Sequence, residues 1–244
     1  MVAVLALAGC GSAPGTTEPA GVDGLMIPTP SPDPQDFVEA IDNSYLPLAA
    51  GSSWTYESTS SEGDETIKVT VTDQTRVVAG ITTTVVRDRV TDEDGELIED
   101  TYDWYAQDLA GNVWYFGEDT TAYVDALDGA VLEGGGSSTE GSWEAGVDGA
   151  QAGVVMPATP RVGDGYQQEY LVGEAEDRAE VLAIDAEVGL DTESFEDVVE
   201  TIDTNPLEPG LVERKYYAPG IGLVLEETVA GGDDRVVLVA YDAG

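Results

Sequence analysis

The chain has 244 residues, of which 42% are hydrophobic, so it is long enough to bury one sizeable core or two smaller ones. Its 49 acidic residues against 9 basic ones give a net charge of -40, which repels nucleic acid phosphates and excludes nucleic acid as a partner. The chain has no histidine and a single cysteine, which excludes Ser-His-Asp triads, histidine-ligated zinc and internal disulfides. We therefore predict neither a cofactor nor a metal site.

An apolar run over residues 2–9 ends directly before Cys10 in the sequence Leu7-Ala8-Gly9-Cys10. This motif resembles the bacterial lipobox, in which the peptide is cut before a cysteine that carries a lipid, with acyl chains such as palmitate. The resemblance implies a signal peptide over 1–9, a lipid on Cys10 and an extracytoplasmic protein anchored to the cell membrane. Residues 10–33 are rich in Gly, Pro, Ser and Thr, which is typical of a flexible tether. The alternative is an apolar tail with a chance cysteine.

The remaining residues, 34–244, are predicted to form a single β-rich domain that opens with one short N-terminal helix. Asp33 and Pro34 have the N-cap and first-turn chemistry of a helix, and Phe37, Ile41 and Tyr45 recur at helical spacing. From residue 51 onward the hydrophobic period changes to two, with turn residues between the runs, which predicts antiparallel strands.

One pattern of residues occurs twice in this strand-rich region. Gly51-Ser-Ser-Trp-Thr-Tyr-Glu57 aligns with Gly163-Asp-Gly-Tyr-Gln-Gln-Glu169, and Trp104-Tyr105-Ala106 aligns with Tyr216-Tyr217-Ala218 at the same offset. We interpret this as a duplicated β unit over about 51–118 and 163–229, whose apolar faces either pack as a sandwich or curl into a half-barrel. The alternative is two unrelated meanders that share turn residues.

The two copies are joined by a Gly-rich segment, 119–162, which contains Trp143 and Met156. A long connection of this kind is typical of a binding loop, and we predict that it covers an apolar pocket. The candidate ligand-binding residues are aromatic or soft apolar side chains of the segment and the adjoining strands: Trp104, Trp114, Trp143, Met156 and Tyr170. The alternative is that these side chains are ordinary core and cross-strand packing pairs.

Acidic residues are concentrated between Asp92 and Asp100, in the sequence DEDGELIED. Carboxylates of this kind can bind Ca²⁺, but the spacing lacks the ligand pattern of an EF-hand, and a solvated hairpin turn fits better. Paired carboxylates could also hydrolyse glycosides. Acids are so abundant in this chain that no pair stands out, and we assign no catalytic residue.

Several blocks of the chain resemble a family of uncharacterised bacterial envelope lipoproteins, among them TYDWYAQDLAGNVWYFGE, TEGSWEAGVDGA, VVMPATPRVGD, QQEYLVGEAED and VERKYYAPGIGLVLEE. The last block also resembles the final strands of LolA-like and LppX-like lipoprotein and lipid carriers. That resemblance implies a half-barrel around a hydrophobic cavity. It favours a lipid-anchored, non-catalytic binding or carrier module for an apolar small molecule or lipid. The alternatives are a structural or interaction lipoprotein with a packed core, and a hydrolase that uses carboxylates alone.

Overall fold

The computed structural model describes residues 33–61, 63–123, 136–191 and 193–244. The predicted signal peptide, the tether and Cys10 therefore lie outside the described residues. Within the described ranges the secondary structure is a three-residue 3-10 helix, Pro34–Asp36, and sixteen strands. The strands are β1 (Phe37–Val38), β2 (Ser53–Ser60), β3 (Gly63–Val78), β4 (Ile81–Asp92), β5 (Leu97–Asp108), β6 (Val113–Tyr123), β7 (Ser137–Ser138), β8 (Trp143–Glu144), β9 (Gln151–Met156), β10 (Gly165–Gln167), β11 (Glu169–Tyr170), β12 (Arg178–Gly189), β13 (Ser194–Thr204), β14 (Val212–Ala218), β15 (Gly222–Ala230) and β16 (Arg235–Asp242).

Thirteen of these strands form one antiparallel sheet, which confirms the predicted mainly β, antiparallel class. Their order is β10-β12-β13-β14-β15-β16-β2-β3-β4-β5-β6-β9-β11, while β1 pairs with β5 and both β7 and β8 pair with β6. The carboxyl-terminal strand β16 lies between β15 and β2 and so joins the two strand groups.

The two edges of this sheet meet, so the sheet is a nearly closed, barrel-like structure. Strand β10 pairs with β12 at one edge and β11 pairs with β9 at the other, and only Gln168 separates β10 from β11. At this junction β9 passes very close to the connecting residues: a Cβ atom at Gly153 would overlap the backbone carbonyl groups of Gln167 and Gln168. A glycine is therefore required where the barrel closes.

The predicted N-terminal helix is not confirmed, because the chain leaves helical geometry after one turn. The Asp33 carboxylate does accept a hydrogen bond from the backbone N–H of Gln35, as an N-cap does. Phe37 and Val38 then become extended and pair with β5, and the Phe37 ring packs edge-on against Phe116 at 5.5 Å. Tertiary pairing with β5 thus replaces the local hydrogen bonds of a helix.

The segment that follows, residues 39–48, covers one end of the barrel. The side chain of Asn43 donates to the backbone carbonyls of Gly111 and Pro157, and its Oδ1 atom accepts from the N–H groups of Tyr45 and Leu46. The backbone of the segment also bonds to the β14–β15 turn through Ser44 and Gly220. These contacts attach the segment to three neighbouring loops.

Two corners of the barrel have the same backbone geometry. Gly51 and Gly163 both have positive φ, +91° and +88°, and their N–H groups donate to the carbonyls of Val71 and Val181 at 2.9 and 2.8 Å. In both cases the valine N–H donates back to the carbonyl of the residue after the glycine. The duplication of 51–118 and 163–229 remains a prediction, which this shared geometry supports.

The joining segment 119–162 contributes strands where it is described. Strand β6 continues to Tyr123, and β7, β8 and β9 follow from residue 137, all of them paired to β6. The core includes the fully buried side chains of Phe116 and Met156. In the described part of the chain no helix has the length and apolar composition needed to cross a membrane.

Candidate functional site

A cavity of about 360 Å³ lies inside the barrel. Its lining comes from strands on opposite sides of the barrel and from the covering segment 39–48, so the cavity lies between these elements. The lining residues are Leu46, Leu48, Tyr56, Ile67, Val69, Val86, Asp88, Asp103, Tyr105, Val155, Gln168, Lys215, Tyr217, Leu223, Glu226 and Val236.

The apolar side of this cavity is built where the segment 39–48 covers the barrel. Leu46 and Leu48 enter from that segment, and three tyrosine rings, Tyr56, Tyr105 and Tyr217, contribute from the strands. The Tyr56 hydroxyl donates to the backbone carbonyl of Leu223 at 3.1 Å, which leaves its ring available to the cavity. This end can take an apolar group.

The other side of the cavity carries acidic groups. Burial, with the nearby carboxyl of Glu99, raises the pKa of Asp88 to about 6, and the Oδ1 atom of Asp88 is buried without a hydrogen-bond donor. Asp103 accepts a 2.6 Å hydrogen bond from the Tyr115 hydroxyl. Burial nevertheless holds the pKa of Asp103 well above its ordinary value, and the carboxyl of Glu118 adds to the effect. The carboxyl groups therefore retain protons in a pH range where exposed acids are ionised.

Among the residues that the structure describes, Lys215 is the one basic side chain that lines this cavity. Its ammonium nitrogen lies 3.7 Å from Asp203, 3.7 Å from Glu213 and 3.8 Å from Glu226. Burial by itself lowers the pKa of Lys215, but the carboxylates of Glu226 and Asp203 outweigh that effect and hold the pKa above its ordinary value. Lys215 is therefore a charged group that is already surrounded by counter-ions.

A second, polar cavity of about 250 Å³ adjoins the first, and Gln168 and Lys215 line both. Its other lining residues are Asp177, Asp203, Thr204, Asn205, Glu208, Leu211 and Glu213. The interior thus changes from apolar to acidic along the barrel.

Three of the sequence-predicted binding residues are absent from the cavity lining. Adjacent strand residues face opposite sides of a sheet, and Tyr105 lines the cavity, so Trp104 lies on the other side. Met156 is fully buried and pairs with Val113 of β6. Trp104 is covered by the guanidinium group of Arg76, 3.9 Å above its ring. The indole of Trp114 is buried and donates to the Asp108 carboxylate at 2.8 Å.

The remaining two predicted residues lie at the junction of the barrel edges. Trp143 is 4% exposed, packs edge-on against Tyr115 at 5.4 Å and donates a 2.9 Å hydrogen bond to Glu169. Tyr170 follows Glu169 in β11 and is half-buried. None of the five predicted residues lines the cavity, so their binding role stays a prediction that the cavity does not support.

The sequence analysis missed the residues that line the cavity, because it chose candidates from the positions of the tryptophans and their neighbours. A signal for the lining residues was present in the alternation of side-chain types along the strands. Val86 and Asp88 of β4, and Tyr105 and Asp103 of β5, each place an apolar and an acidic residue two positions apart and therefore on one face. Acidic and apolar residues on one face of each of these two strands indicate a partly polar interior.

The acidic run from Asp92 to Asp100 covers the last residue of β4, the hairpin turn 93–96 and the start of β5. The Asp92 carboxylate accepts hydrogen bonds from the backbone N–H groups of Asp94 and Glu96. Among residues 33–61, 63–123, 136–191 and 193–244, no group of three or more acidic or cysteine side chains is placed to hold a metal ion.

Comparison with known proteins gives little to add to this geometry. No protein-family model matches the chain, and no curated protein does. One solved structure, a "putative lipoprotein" from Parabacteroides distasonis, is 9% identical over 82% of this chain and 99% of its own, with a TM-score of 0.37. A similarity at that level carries no argument about function. The resemblances to envelope lipoproteins and to LolA-like and LppX-like carriers therefore stay predictions.

Proposed function

We propose that this protein is a non-catalytic binding or carrier module whose barrel interior binds an apolar small molecule or lipid. The observation that carries the proposal is the cavity of about 360 Å³, with Leu46, Leu48 and three tyrosine rings in its lining. Its volume falls within the range of roughly 300–1,000 Å³ that is common for small-molecule sites.

The cavity also argues against a purely structural role for the interior. A residual cavity lowers the free energy of unfolding, because its lining loses the contacts that a filled core would provide. Nearby parts of the same core are packed without exposure: Val113, Phe116 and Val154 are all 0% exposed. A void beside such packing fits a site that is filled by a ligand.

The proposed cellular location follows from the amino terminus. The apolar residues 2–9, the lipobox-like Leu7-Ala8-Gly9-Cys10 and the Gly-, Pro- and Ser-rich residues 10–33 support a lipid anchor on Cys10 and a tether to the domain. The protein would then display its barrel outside the cytoplasm, on the surface of the cell membrane.

The test is binding of N-phenylnaphthylamine, a neutral apolar fluorophore, measured by its fluorescence with the wild-type domain and with two matched tryptophan variants. Val69 and Val77 both lie on β3, but Val69 lines the cavity whereas Val77 is 65% exposed. We expect Val69→Trp to fill the cavity and weaken probe binding by about tenfold or more, and Val77→Trp to leave it unchanged.

Circular dichroism and thermal melts establish that each variant is folded. If Val69→Trp does not fold, Val236→Phe fills the same cavity from β16. Absence of probe binding by the folded wild-type protein would overturn the proposal and leave a structural or interaction role. Equal weakening by the Val69 and Val77 variants would also overturn it.

A further inference from the structure

The lining of the cavity changes from apolar to charged in the same direction on several strands. On β5 the change is from Tyr105 to Asp103, and on β14 it is from Tyr217 to Lys215. Each pair is two residues apart and so shares a face of the sheet. Along these two strands a ligand meets apolar side chains first and charged side chains further on, while Val69 and Val236 lie beside Asp88 and Glu226.

The charged end is strongly acidic. Asp88, Asp103 and Glu226 line the first cavity with Lys215, and the adjoining polar cavity adds four further acids, Asp177, Asp203, Glu208 and Glu213. Among the described residues, seven carboxyl groups and a single ammonium group therefore line the two adjoining cavities. Three of the seven, those of Asp203, Glu213 and Glu226, lie within 3.8 Å of that ammonium group and share it.

Lys215 does not make this end attractive to an anion. Its ammonium group lies within 3.8 Å of three carboxylates, so its charge is more than balanced by its neighbours. A fatty-acid carboxylate or a phosphate placed beside it would also face Asp103 and Glu226. The charge distribution disfavours anionic amphiphiles.

One further feature favours a positively charged group. The buried Oδ1 atom of Asp88 has no donor, and a buried acceptor without a partner costs free energy that a ligand donor or cation would recover. The rings of Tyr56, Tyr105 and Tyr217 line the apolar part of the same cavity and suit the apolar chain of a ligand. The carboxyl groups thus favour a cationic end and the rings an apolar one.

We infer that the ligand of this cavity is an amphiphile with an apolar chain and one organic cation, an ammonium or amidinium group, which lies between Asp88, Asp103 and Glu226. This inference rests on the proposed function and specifies its ligand class. An organic cation fits better than a metal ion, because no described group of three acids is placed for metal coordination.

Proton binding should be linked to ligand binding. The side chains that act on Asp88 are acidic or phenolic, namely Glu99, Asp100 and Asp103 on β5 and the hydroxyls of Tyr56 and Tyr105, while the backbone N–H of Arg89 acts in the opposite direction and lowers its pKa. The neighbouring β3 side chains in the cavity, Ile67 and Val69, carry no charge. Since the pKa of Asp88 is about 6 in the free protein, a bound cation lowers it and releases a proton.

The experiment compares three probes with the same alkyl chain: octyltrimethylammonium, octanol and octanoate. Calorimetric titrations at about pH 8 give the three affinities. They are done in high salt, because salt screens the general attraction for cations of a chain whose net charge is -40. We expect octyltrimethylammonium to bind about tenfold more tightly than octanol, and octanoate to bind most weakly. The affinity of octyltrimethylammonium should fall as the pH is lowered through about 6.

Three variants locate the effect. Asp88→Asn and Asp103→Asn each replace a cavity carboxyl group with an amide, whereas Asp119→Asn makes the same replacement at an exposed position on β6. The two cavity variants should weaken octyltrimethylammonium binding by about fivefold or more without changing that of octanol, and Asp119→Asn should change neither. If Asp103→Asn does not fold, Asp88→Asn decides the question.

The outcomes separate the two proposals. Equal binding of octanol and octyltrimethylammonium, or an equal effect of Asp88→Asn and Asp119→Asn, overturns the cationic inference but leaves an apolar binding function standing. Failure of every probe to bind overturns the proposed function itself.

Discussion

The hydroxyl of Tyr115 donates a 2.6 Å hydrogen bond to the Oδ1 atom of Asp103, and both side chains are buried. The Tyr115 ring also stacks on Tyr105 at 4.9 Å and meets the edge of Trp143 at 5.4 Å. The buried carboxyl group of Asp103 is thus bonded to the middle ring of a row of three, Tyr105, Tyr115 and Trp143, which extends from the cavity to the junction of the barrel edges. Because this row contacts both the cavity and the junction, a substitution at one place affects the other.

Tyr115→Phe tests the first contact of this row. The variant keeps the ring packing but leaves the Asp103 carboxyl without its donor, and we expect a loss of about 1–3 kcal/mol in the free energy of unfolding. The pKa of Asp103 should rise further, because the hydrogen bond from Tyr115 lowers it. Urea denaturation measures the first effect and NMR titration of the carboxyl carbon the second. An unchanged pKa would mean that the hydrogen bond does not form in solution.

Trp143→Ala tests the junction of the barrel edges. Trp143 is 4% exposed, and its truncation should cost about 3–5 kcal/mol in urea denaturation, as for other large buried side chains. Trp143→Phe keeps much of the packing and loses only the hydrogen bond to Glu169, so its cost should be about 1–2 kcal/mol. Leu109→Ala is the control, because Leu109 is 70% exposed. A Trp143→Ala cost near that of the control would refute the core role.

The buried acids predict a protein that is more stable in mild acid than at alkaline pH. Burial raises the folded-state pKa of Asp88 to about 6, of Glu118 to about 7 and of Glu169 to about 9, a hydrogen bond with Asp177 adding to the last. These groups bind protons more tightly in the folded state than in the unfolded chain. Their contribution to the free energy of unfolding is therefore complete at a pH below their ordinary pKa values near 4. It is lost as the pH rises through the folded-state pKa values of about 6 to 9.

Glu169→Gln isolates the largest of these effects. An amide side chain stays neutral and can still accept the hydrogen bond from Trp143, so the melting temperature near pH 8 should rise by about 3 °C or more. Differential scanning calorimetry between about pH 5 and 9 should show a weaker pH dependence than in the wild type. Glu93→Gln, at an exposed turn position, controls for the loss of one negative charge. The same shift in both variants would assign the effect to net charge instead of burial.

Cys10→Ala tests the proposed anchor. Without the thiol no diacylglyceryl group can be attached, so the protein should move from the membrane fraction to the soluble fraction. Ser12→Ala, two residues away, should leave the partition unchanged. Mass spectrometry of the N-terminal peptide gives an independent measurement of the lipid on Cys10. Membrane association that survives in Cys10→Ala would remove the claim.

The sequence predicted the class of the fold because the relevant signals are local. Alternation of period two is set by the pleat of each strand, and glycines such as Gly51 and Gly163 mark corners that require positive φ. The N-terminal segment could not be predicted in this way. Its cap residue Asp33 behaves as expected, but Phe37 and Val38 pair with β5, a partner seventy positions away in the chain.

The candidate site depended on a choice between faces that local pattern does not contain. Trp104 and Tyr105 are adjacent, aromatic and well covered, yet only Tyr105 lines the cavity. The sequence by itself determined a strand with an aromatic residue on each face, Trp104 and Tyr105, in an acidic chain with an apolar core. Which face is inside was decided only by the tertiary structure, since the curvature of the sheet and the covering segment 39–48 depend on contacts between residues far apart in the chain.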